Sequence, residues 1–154
     1  MRSLMAARLV LLDSDLVRRE VLVRTLTELG AFEIAGIATV AEIASVPAPD
    51  LFLIESQSLA ANDAGGNLPP NPFAASGIPT VLLLPEPTNE QRRAAIRAGF
   101  SIVLAAPVPH RLLYRRIAQL LQNARRAKRR MEAGNSGRDK ALEQAAPQPD
   151  ALLA

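Results

Sequence analysis

The sequence predicts a doubly wound α/β fold, with a five-stranded parallel sheet between two layers of helices. Short apolar runs and amphipathic helical patterns alternate five times between residues 8 and 123, which is typical of parallel strands joined by helical crossovers. Some of these runs are apolar at every position, as in strands covered on both faces. The composition agrees, because 49% of the residues are hydrophobic and only 3% are aromatic. We therefore expect a core of Leu, Val, Ile and Ala.

The first part of the chain contains two strands and two helices. The apolar run at 8–13 is the first predicted strand, and residues 16–29 repeat apolar side chains at helical spacing. Gly30 follows at the position of a helix stop. Residues 32–38 form the second predicted strand, and the stretch 39–42, which reads Thr-Val-Ala-Glu, is a capping-box pattern that predicts a short helix.

The third predicted strand ends on an acid. Residues 49–55 read Pro-Asp-Leu-Phe-Leu-Ile-Glu, a turn followed by an apolar run and Glu55. Ligands of open α/β sheets bind at the carboxyl edge of the strands, so Glu55 is a candidate functional residue. Residues 60–78 are rich in Gly and Pro and predict a long loop. Both a binding loop and a plain surface insertion fit this pattern.

Residues 79–84 and 101–104 are the fourth and fifth predicted strands. Between them, Thr88 and Gln91 form a second capping-box pattern, and we expect the helix that follows to end at Gly99.

The last helix is predicted to begin near Pro109 and to continue to Arg130 or beyond. Its first half suits packing on the sheet. Apolar or small residues also alternate four and three positions apart, and this heptad pattern predicts a dimer seam at Leu113, Ile117, Leu120, Ala124, Ala127 and Met131.

The positive charge is concentrated near the end of the chain. Residues 109–140 hold ten Lys and Arg against Glu132 and Asp139. A cluster of cations could bind the phosphates of a nucleic acid, or it could be a solvated face that complements the helix dipole. Aromatic side chains, which would stack on bases, do not interleave with the basic patch of Arg125, Arg126, Lys128, Arg129 and Arg130.

These patterns predict four segments. They are a lead at 1–7, a domain at 8–123, an extended basic helix at 124–133, and a tail from Gly134 to residue 154 whose composition predicts disorder.

The strand ends resemble those of bacterial response-regulator receiver domains, from Arg8 to about Asn123. Receivers carry a phosphoacceptor Asp at the end of a Pro-Asp-Leu-x-x-x-Asp pattern, and this chain has Glu55 at that position. Further matches are Asp13 after the first strand, Ile78-Pro79, Ala98-Gly99 and Pro107. The resemblance implies a flavodoxin-like strand order and a role in two-component phosphorelay signal transduction.

The residues that support phosphorylation in receivers are replaced. Receivers have two adjacent acids after the first strand, where this chain has Asp13-Ser14. Leu84 replaces a hydroxyl residue, Ala106 replaces a Lys, and Val103 aligns with an aromatic switch residue. Phosphoryl transfer depends on positioning and charge stabilisation, so these replacements predict a pseudo-receiver without a cofactor or metal. Weak Mg²⁺ binding between Asp13 and Glu55 is the alternative.

Two interpretations of Glu55 follow from the resemblance. A Glu can mimic a phosphorylated Asp, or it can be a solvent-facing acid at the end of a strand. We expect the second, because the hydroxyl and aromatic partners of the receiver switch are absent from the aligned positions.

A weaker resemblance concerns residues 107–112, Pro-Val-Pro-His-Arg-Leu. It is to the receivers of amide- and nitrate-responsive antiterminators, in which an RNA-binding domain follows. His110, the single histidine, is expected to be structural.

The function predicted is that of an atypical response regulator that acts through protein–protein interaction, with a sensor kinase or downstream regulator as partner and a homodimer through the last helix. The alternatives are a nucleic-acid-binding regulator and a receiver that can still be phosphorylated. By resemblance, the partner docks on the fifth strand and the helices after the fourth and fifth strands, which carry Arg92, Arg93, Arg97, Tyr114 and Arg115.

Other classes are disfavoured. The chain has no Cys and no Gly-rich phosphate loop after the first strand, so we do not expect an enzyme. Its apolar runs are shorter than the roughly 20 residues of a membrane helix, so we expect no membrane contact and a cytoplasmic location.

Overall fold

In a computed structural model of the chain, five parallel strands form one sheet in the order β2-β1-β3-β4-β5. The structure describes residues 7–30, 33–59 and 68–145, with side chains as far as Gly134. The strands are β1 (Arg8–Leu12), β2 (Glu33–Ile37), β3 (Leu51–Glu55), β4 (Thr80–Pro85) and β5 (Ile102–Ala106). The predicted flavodoxin-like order is confirmed.

Within the described residues, three α-helices accompany the sheet. They are α1 (Leu16–Glu28), α2 (Asn89–Arg97) and α3 (His110–Ala145). Shorter 3₁₀ helices lie at Val40–Ser45, Ser56–Ser58 and Ala74–Ser76. No described helix is long and apolar enough to cross a membrane.

The sheet has a hydrophobic cluster on each face. Leu9 and Leu11 of β1 point into one cluster together with Leu26 of α1 and Ile117 of α3. The opposite cluster contains Val10 and Leu12 of β1, Phe52 of β3 and Ala95 of α2. Because successive side chains of a strand point to opposite faces, a strand buried on both sides must be apolar at every position. This is the pattern that made the strands recognisable.

One of the two predicted capping boxes forms. The Oγ1 of Thr88 accepts from the backbone N–H of Gln91 at 3.1 Å, and the side chain of Gln91 accepts from the backbone N–H of Thr88 at 2.9 Å. At 39–42 the predicted short helix forms, as a 3₁₀ helix that begins after Thr39, but the capping box does not, because Thr39 makes no side-chain cap. Glu42 instead accepts from the backbone N–H of Ala38 at 2.6 Å.

The second half of the predicted loop at 60–78 packs against the domain. Phe73 is buried and stacks on Phe52 with 3.9 Å between ring centroids. The buried side chain of Asn71 donates to Thr80 Oγ1 at 3.1 Å and to the carbonyl oxygen of Gly99 at 3.0 Å. From residue 68 on, this connection is therefore anchored on the core through Asn71 and Phe73; residues 60–67 lie outside the described part of the chain.

The last helix packs on the sheet through a face that the heptad pattern only partly captured. Leu113, Ile117 and Leu121 are almost completely buried, and their spacing of four suits a straight helix on a sheet. Leu120, predicted in the seam, is only partly buried. Met131 is 71% exposed.

Helix α3 is longer than the sequence predicts. It continues past Gly134 to Ala145, so the expectation of a disordered tail from Gly134 is not met over this stretch. The glycines there stand among Ala, Leu, Glu, Lys and Arg, which favour helix and offset the cost of Gly. Residues 146–154 lie outside the described part. The chain divides into one unit up to Leu121 and a second from Gln122, and the site described below belongs to the first.

The buried face of α3 gives a stability prediction. Ile117→Ala should lower the free energy of unfolding by about 2–4 kcal/mol, because it removes a fully buried side chain and leaves a cavity. Met131→Ala, at an exposed position of the same predicted seam, should change it by less than about 0.5 kcal/mol. Urea unfolding followed by circular dichroism measures both. Equal losses in the two variants would contradict this packing.

Candidate functional site

Two carboxylates meet at the carboxyl edge of the sheet. Asp13 directly follows β1 and Glu55 is the last residue of β3, which pairs with β1 in parallel. Both residues are buried, with exposed fractions of 1% for Asp13 and 6% for Glu55. Two neighbouring acids that are buried to this extent need a compensating cation, because burying an unpaired charge is costly.

Arg18 of α1 supplies that cation. Its Nε donates to Asp13 Oδ2 at 2.6 Å, and its Nη2 donates to Asp13 Oδ1 at 2.8 Å, a two-point contact with one carboxylate. The same Nη2 also donates to Glu55 Oε2 at 3.1 Å. The guanidinium group thus bridges the two acids, and the planar fork of Arg suits this arrangement.

The helix start explains why Arg18 reaches this place. Asp15 caps α1, and its Oδ1 accepts from the backbone N–H of Arg18 at 2.9 Å. Arg18 therefore lies in the first turn, where side chains point back toward the N-terminus of the helix. That direction leads to the end of β1. Arg19 adds a second contact between α1 and the end of β1, since its Nη1 donates to the carbonyl oxygen of Asp13 at 2.7 Å.

The bridge keeps Arg18 charged. The hydrogen bond to Asp13 raises the pKa of Arg18 above its ordinary value, with further contributions from the charges of Glu55, Asp13 and Asp15, while partial burial acts in the opposite direction. A raised pKa in a base means that the stabilising charge is present at every pH below its already high ordinary value. Arg18 therefore remains protonated and positively charged throughout the physiological pH range.

Serine hydroxyls complete the polar edge. Ser58 Oγ donates to Glu55 Oε2 at 3.1 Å and accepts from the backbone N–H of Ser14 at 2.8 Å. Ser56 Oγ lies 3.5 Å from Glu55 Oε1. The turn after β3 is thereby connected to the turn after β1, where Ser14 takes part through its backbone N–H and through its Oγ, which lies 3.2 Å from Ser58 Oγ.

The structure corrects the expectation for Glu55. The sequence predicts a solvent-facing acid at the strand end, whereas the residue is only 6% exposed and bonded to Arg18 and Ser58. The reason is tertiary, because α1 folds over the edge and carries its guanidinium group into contact with the carboxylate.

Sequence reasoning missed Arg18. The signal that could have found it is the spacing of Asp13, the capping Asp15 and an Arg in the first helical turn. Charged residues at helix starts are common, however, and the contact with Glu55 spans 37 positions in sequence. Only the fold brings these groups together.

Both acids at the edge are already paired with a side-chain cation. The guanidinium group of Arg18 occupies the space between Asp13 and Glu55, where Mg²⁺ was the alternative. Asp15, the other nearby acid, serves as the helix cap. Among the described residues, no group of three or more His, Cys, Asp or Glu side chains is arranged to hold a metal ion.

The remaining replaced positions are distributed over the two faces of the sheet. Ala106 lines a cavity together with Asp13, Arg18 and Glu55. Leu84 and Val103 belong instead to the hydrophobic cluster on the face of α2. The structure thus brings Ala106 to the acidic edge and packs Leu84 and Val103 in the core.

The cavity has a volume of about 390 Å³ and lies between α1, the strand ends and the start of α3. Its walls are mainly apolar, with Asp13, Glu55 and Arg18 as its charged groups. His110, the first residue of α3, is exposed and lines it too. A volume of this size is within the range of small-ligand sites.

The predicted surface residues lie outside this site. Arg92, Arg93 and Arg97 of α2 are exposed, and Arg92 Nη1 donates to the carbonyl oxygen of Val103 at 3.1 Å. Tyr114 is partly buried against the core, and its hydroxyl has no hydrogen-bond partner among the described residues. Beyond Leu121, all members of the basic patch are exposed, as are Ala127 and Met131, whereas Ala124 is half-buried.

Comparisons with known proteins give a consistent result for the fold. No protein-family model matches the chain, and no curated protein is significantly similar to it in sequence. Solved structures do match, and they include receiver domains and a two-component response regulator.

Three matched structures illustrate the likeness. A receiver domain of a histidine kinase from Syntrophus aciditrophicus is 16% identical, with a TM-score of 0.59, and the match covers 77% of this chain and 92% of that one. A CheY-like receiver protein from Methanospirillum hungatei is 17% identical, with a TM-score of 0.59 and coverage of 78% and 97%. NtrX from Brucella abortus is 17% identical, with a TM-score of 0.67, and the match covers 83% of this chain but only 29% of NtrX. The chain therefore has the fold of response-regulator receiver domains.

Proposed function

We propose that this chain is an atypical receiver domain that transmits signals through contacts with a protein partner and does not depend on phosphorylation. The observation that carries this proposal is the guanidinium bridge of Arg18 between Asp13 and Glu55. Phosphorylation at this edge would require a bound metal ion and a free carboxylate. In this chain the cation of Arg18 is bonded to both carboxylates.

The chemistry of phosphoryl transfer explains why this bridge matters. The acceptor carboxylate must be free to attack, and metal ions and cations must stabilise the charge on the phosphoryl oxygens. Here the carboxylate of Glu55 is bonded to Arg18 and Ser58, and Arg18 is already neutralised by Asp13. Ala106, at the position of the receiver Lys, contributes no charge to the site.

The positions that align with the receiver switch, Val103 and Leu84, support the same proposal. Val103 is buried in the core and its carbonyl oxygen accepts from Arg92, so α2 is tied to β5. With Leu84 also in the core, no hydroxyl stands at that position to follow a phosphoryl group. Signalling would then depend on which partner binds, and the domain itself would serve as a fixed scaffold.

The exposed face of α2 is the docking surface that we favour. It presents Arg92, Arg93 and Arg97 around Ile96, which is 56% exposed. A central apolar side chain surrounded by Arg is a common composition of protein interfaces. Its charge favours an acidic partner surface, in keeping with a sensor kinase or downstream regulator. Homodimerisation through Ala127 and Met131 of α3 is part of the same proposal, as is the absence of enzymatic activity and of a cofactor.

Magnesium together with beryllofluoride, a mimic of the acyl phosphate, should leave the amide NMR spectrum unchanged at Asp13, Glu55 and Leu84. The reason is that Arg18 and Ser58 already hold the Glu55 carboxylate. Heteronuclear spectra of the labelled protein, recorded with Mg²⁺ and then with both reagents, measure this. An ordinary receiver domain in the same buffer is the positive control. Saturable shifts centred on these residues that spread into α3 would overturn the proposal.

Replacing the bridging cation should make the edge sensitive to divalent ions. Arg18→Gln leaves two buried carboxylates without a cation, so the free energy of unfolding should fall by about 1–3 kcal/mol, a range reduced because Arg18 is 44% exposed. Millimolar Mg²⁺ should then raise the melting temperature of this variant and not that of the unaltered protein.

Arg24→Gln is the matched control for this experiment. Arg24 lies on the same helix, is exposed, and its replacement removes the same charge. If Arg24→Gln responds to Mg²⁺ as strongly as Arg18→Gln does, the response is not specific to the edge and the assigned role of Arg18 is wrong.

The basic patch of α3 supports nucleic-acid binding as the second candidate function, because all of its cations lie on one exposed helical segment. If this candidate is right, gel shifts should appear at low salt, weaken steeply as salt rises, and disappear when residues 124–140 are deleted. Absence of binding at low salt would exclude it. We expect that absence, since aromatic residues for base stacking are missing from the patch.

A further inference from the structure

We propose that the cavity beside Glu55 is a binding site for a small organic cation, an amine or amidine attached to an apolar body. This binding site goes beyond the proposed signalling role.

The shape of the cavity sets the size of the ligand. Its volume of about 390 Å³ lies in the range of small-molecule sites. Val21 and Leu22 of α1, Val108 and Leu113 form apolar walls. Ala106 lies in the wall where receivers have a Lys, and its short side chain leaves room that a long one would fill. The result is an apolar space that ends in a charged group.

The charged groups at the end of the cavity determine the sign of the charge that the ligand should carry. The acids lining the cavity are Asp13 and Glu55, and Arg18 is the cation. Just outside, Asp15 and Arg19 add one charge of each sign. The fixed charges that line the cavity, on Asp13, Glu55 and Arg18, therefore leave one negative charge uncompensated. Buried charge of this kind is stabilised by an added cation and would repel an anion.

One oxygen of Glu55 has only a long contact with a donor from the described part of the chain. Oε2 accepts from Arg18 and from Ser58, both at 3.1 Å. The single contact recorded to Oε1 within the described residues is Ser56 Oγ at 3.5 Å, longer than an ordinary bond between a hydroxyl and an oxygen. An ionised carboxylate can accept about four hydrogen bonds. A ligand N–H group at Oε1 would add a shorter hydrogen bond to this almost completely buried carboxylate.

The rim supplies a contact for the apolar body of the ligand. Val21 is 54% exposed at the cavity mouth, in the turn of α1 after Arg18. An apolar side chain there gains stability when a ligand covers it, because area is removed from water. A cation without an apolar body would forgo this contribution, and a neutral ligand would leave the charge uncompensated.

The test uses phenethylammonium as the probe, with the full chain labelled at Leu and Val methyl groups. Neutral 2-phenylethanol and anionic 3-phenylpropanoate serve as matched ligands. We expect saturable shifts at Val21, Leu22, Val108 and Leu113 with phenethylammonium, with a dissociation constant of about 1 mM or tighter. The neutral ligand should bind at least about tenfold more weakly, since it lacks the charged hydrogen bond, and the anion should not bind.

Two variants link binding to the charge of the cavity. Glu55→Gln removes the uncompensated charge and should weaken binding of phenethylammonium about tenfold or more. Ala106→Lys restores a cation in the wall and should abolish it, which provides an independent test if Glu55→Gln proves unstable. Glu33→Gln is the control, because Glu33 is exposed on β2 and paired with Arg8 outside the cavity; its affinity should be unchanged.

Three results would overturn the proposal. They are equal binding of the cation and the neutral ligand, shifts that do not saturate or do not map to the cavity, and unaltered affinity in Ala106→Lys. The titrations contain neither Mg²⁺ nor fluoride, so their failure would leave the phosphorylation-independent function untouched. Conversely, a response to beryllofluoride would reject that function without bearing on amine binding.

Discussion

The charged edge of this domain depends on one cation placed between two buried acids. Asp13 and Glu55 end neighbouring strands, where burial would make an unpaired pair of carboxylates strongly unfavourable. Arg18 offsets that cost with a two-point contact to one acid and a single contact to the other. The same contacts hold the start of α1 against the ends of β1 and β3. The contacts of Arg18 therefore contribute both to the position of α1 against the strand ends and to the charge balance of the site.

A side chain is a different kind of counter-charge from a metal ion. Mg²⁺ exchanges with solvent and demands near-octahedral oxygen ligands, and a receiver that uses it gains or loses charge with its signalling state. A guanidinium group belonging to the chain is always present, and the pKa of Arg18 is raised further by its hydrogen bond to Asp13. The receiver fold is thus retained with a permanent charge balance at its edge, which is why we propose a scaffold in place of a phosphorylation switch.

Loss of a long side chain also changes the volume of the site. With Ala106 in the wall, space remains between α1 and the start of α3, and apolar residues line it up to the carboxylates. In the proposed site, a bound ligand would supply the cation at this end of the space. Ala106 therefore supports both the proposed amine site and the proposed independence from phosphorylation.

The order of elements could be predicted from the sequence because it depends on local signals. Apolar runs marked the strands, and the capping pair at Thr88 and the stop at Gly99, whose φ of +98° suits glycine, marked α2. The heptad pattern of α3 was less reliable, because helical periods of 3.5 and 3.6 differ little over a few turns; burial selected Leu121 over Leu120.

The site was only half determined by the sequence. Its acids could be found, since strand ends of a parallel sheet meet at one edge, so Asp13 and Glu55 had to be near each other. Their environment could not, because burial of Glu55 and its contact with Arg18 depend on how α1 folds across that edge. Sequence specifies which charges exist and on which elements they lie. Only the tertiary structure decided which of these charges are buried next to one another. Electrostatic energies depend mainly on that burial, because charges interact more strongly where water is excluded.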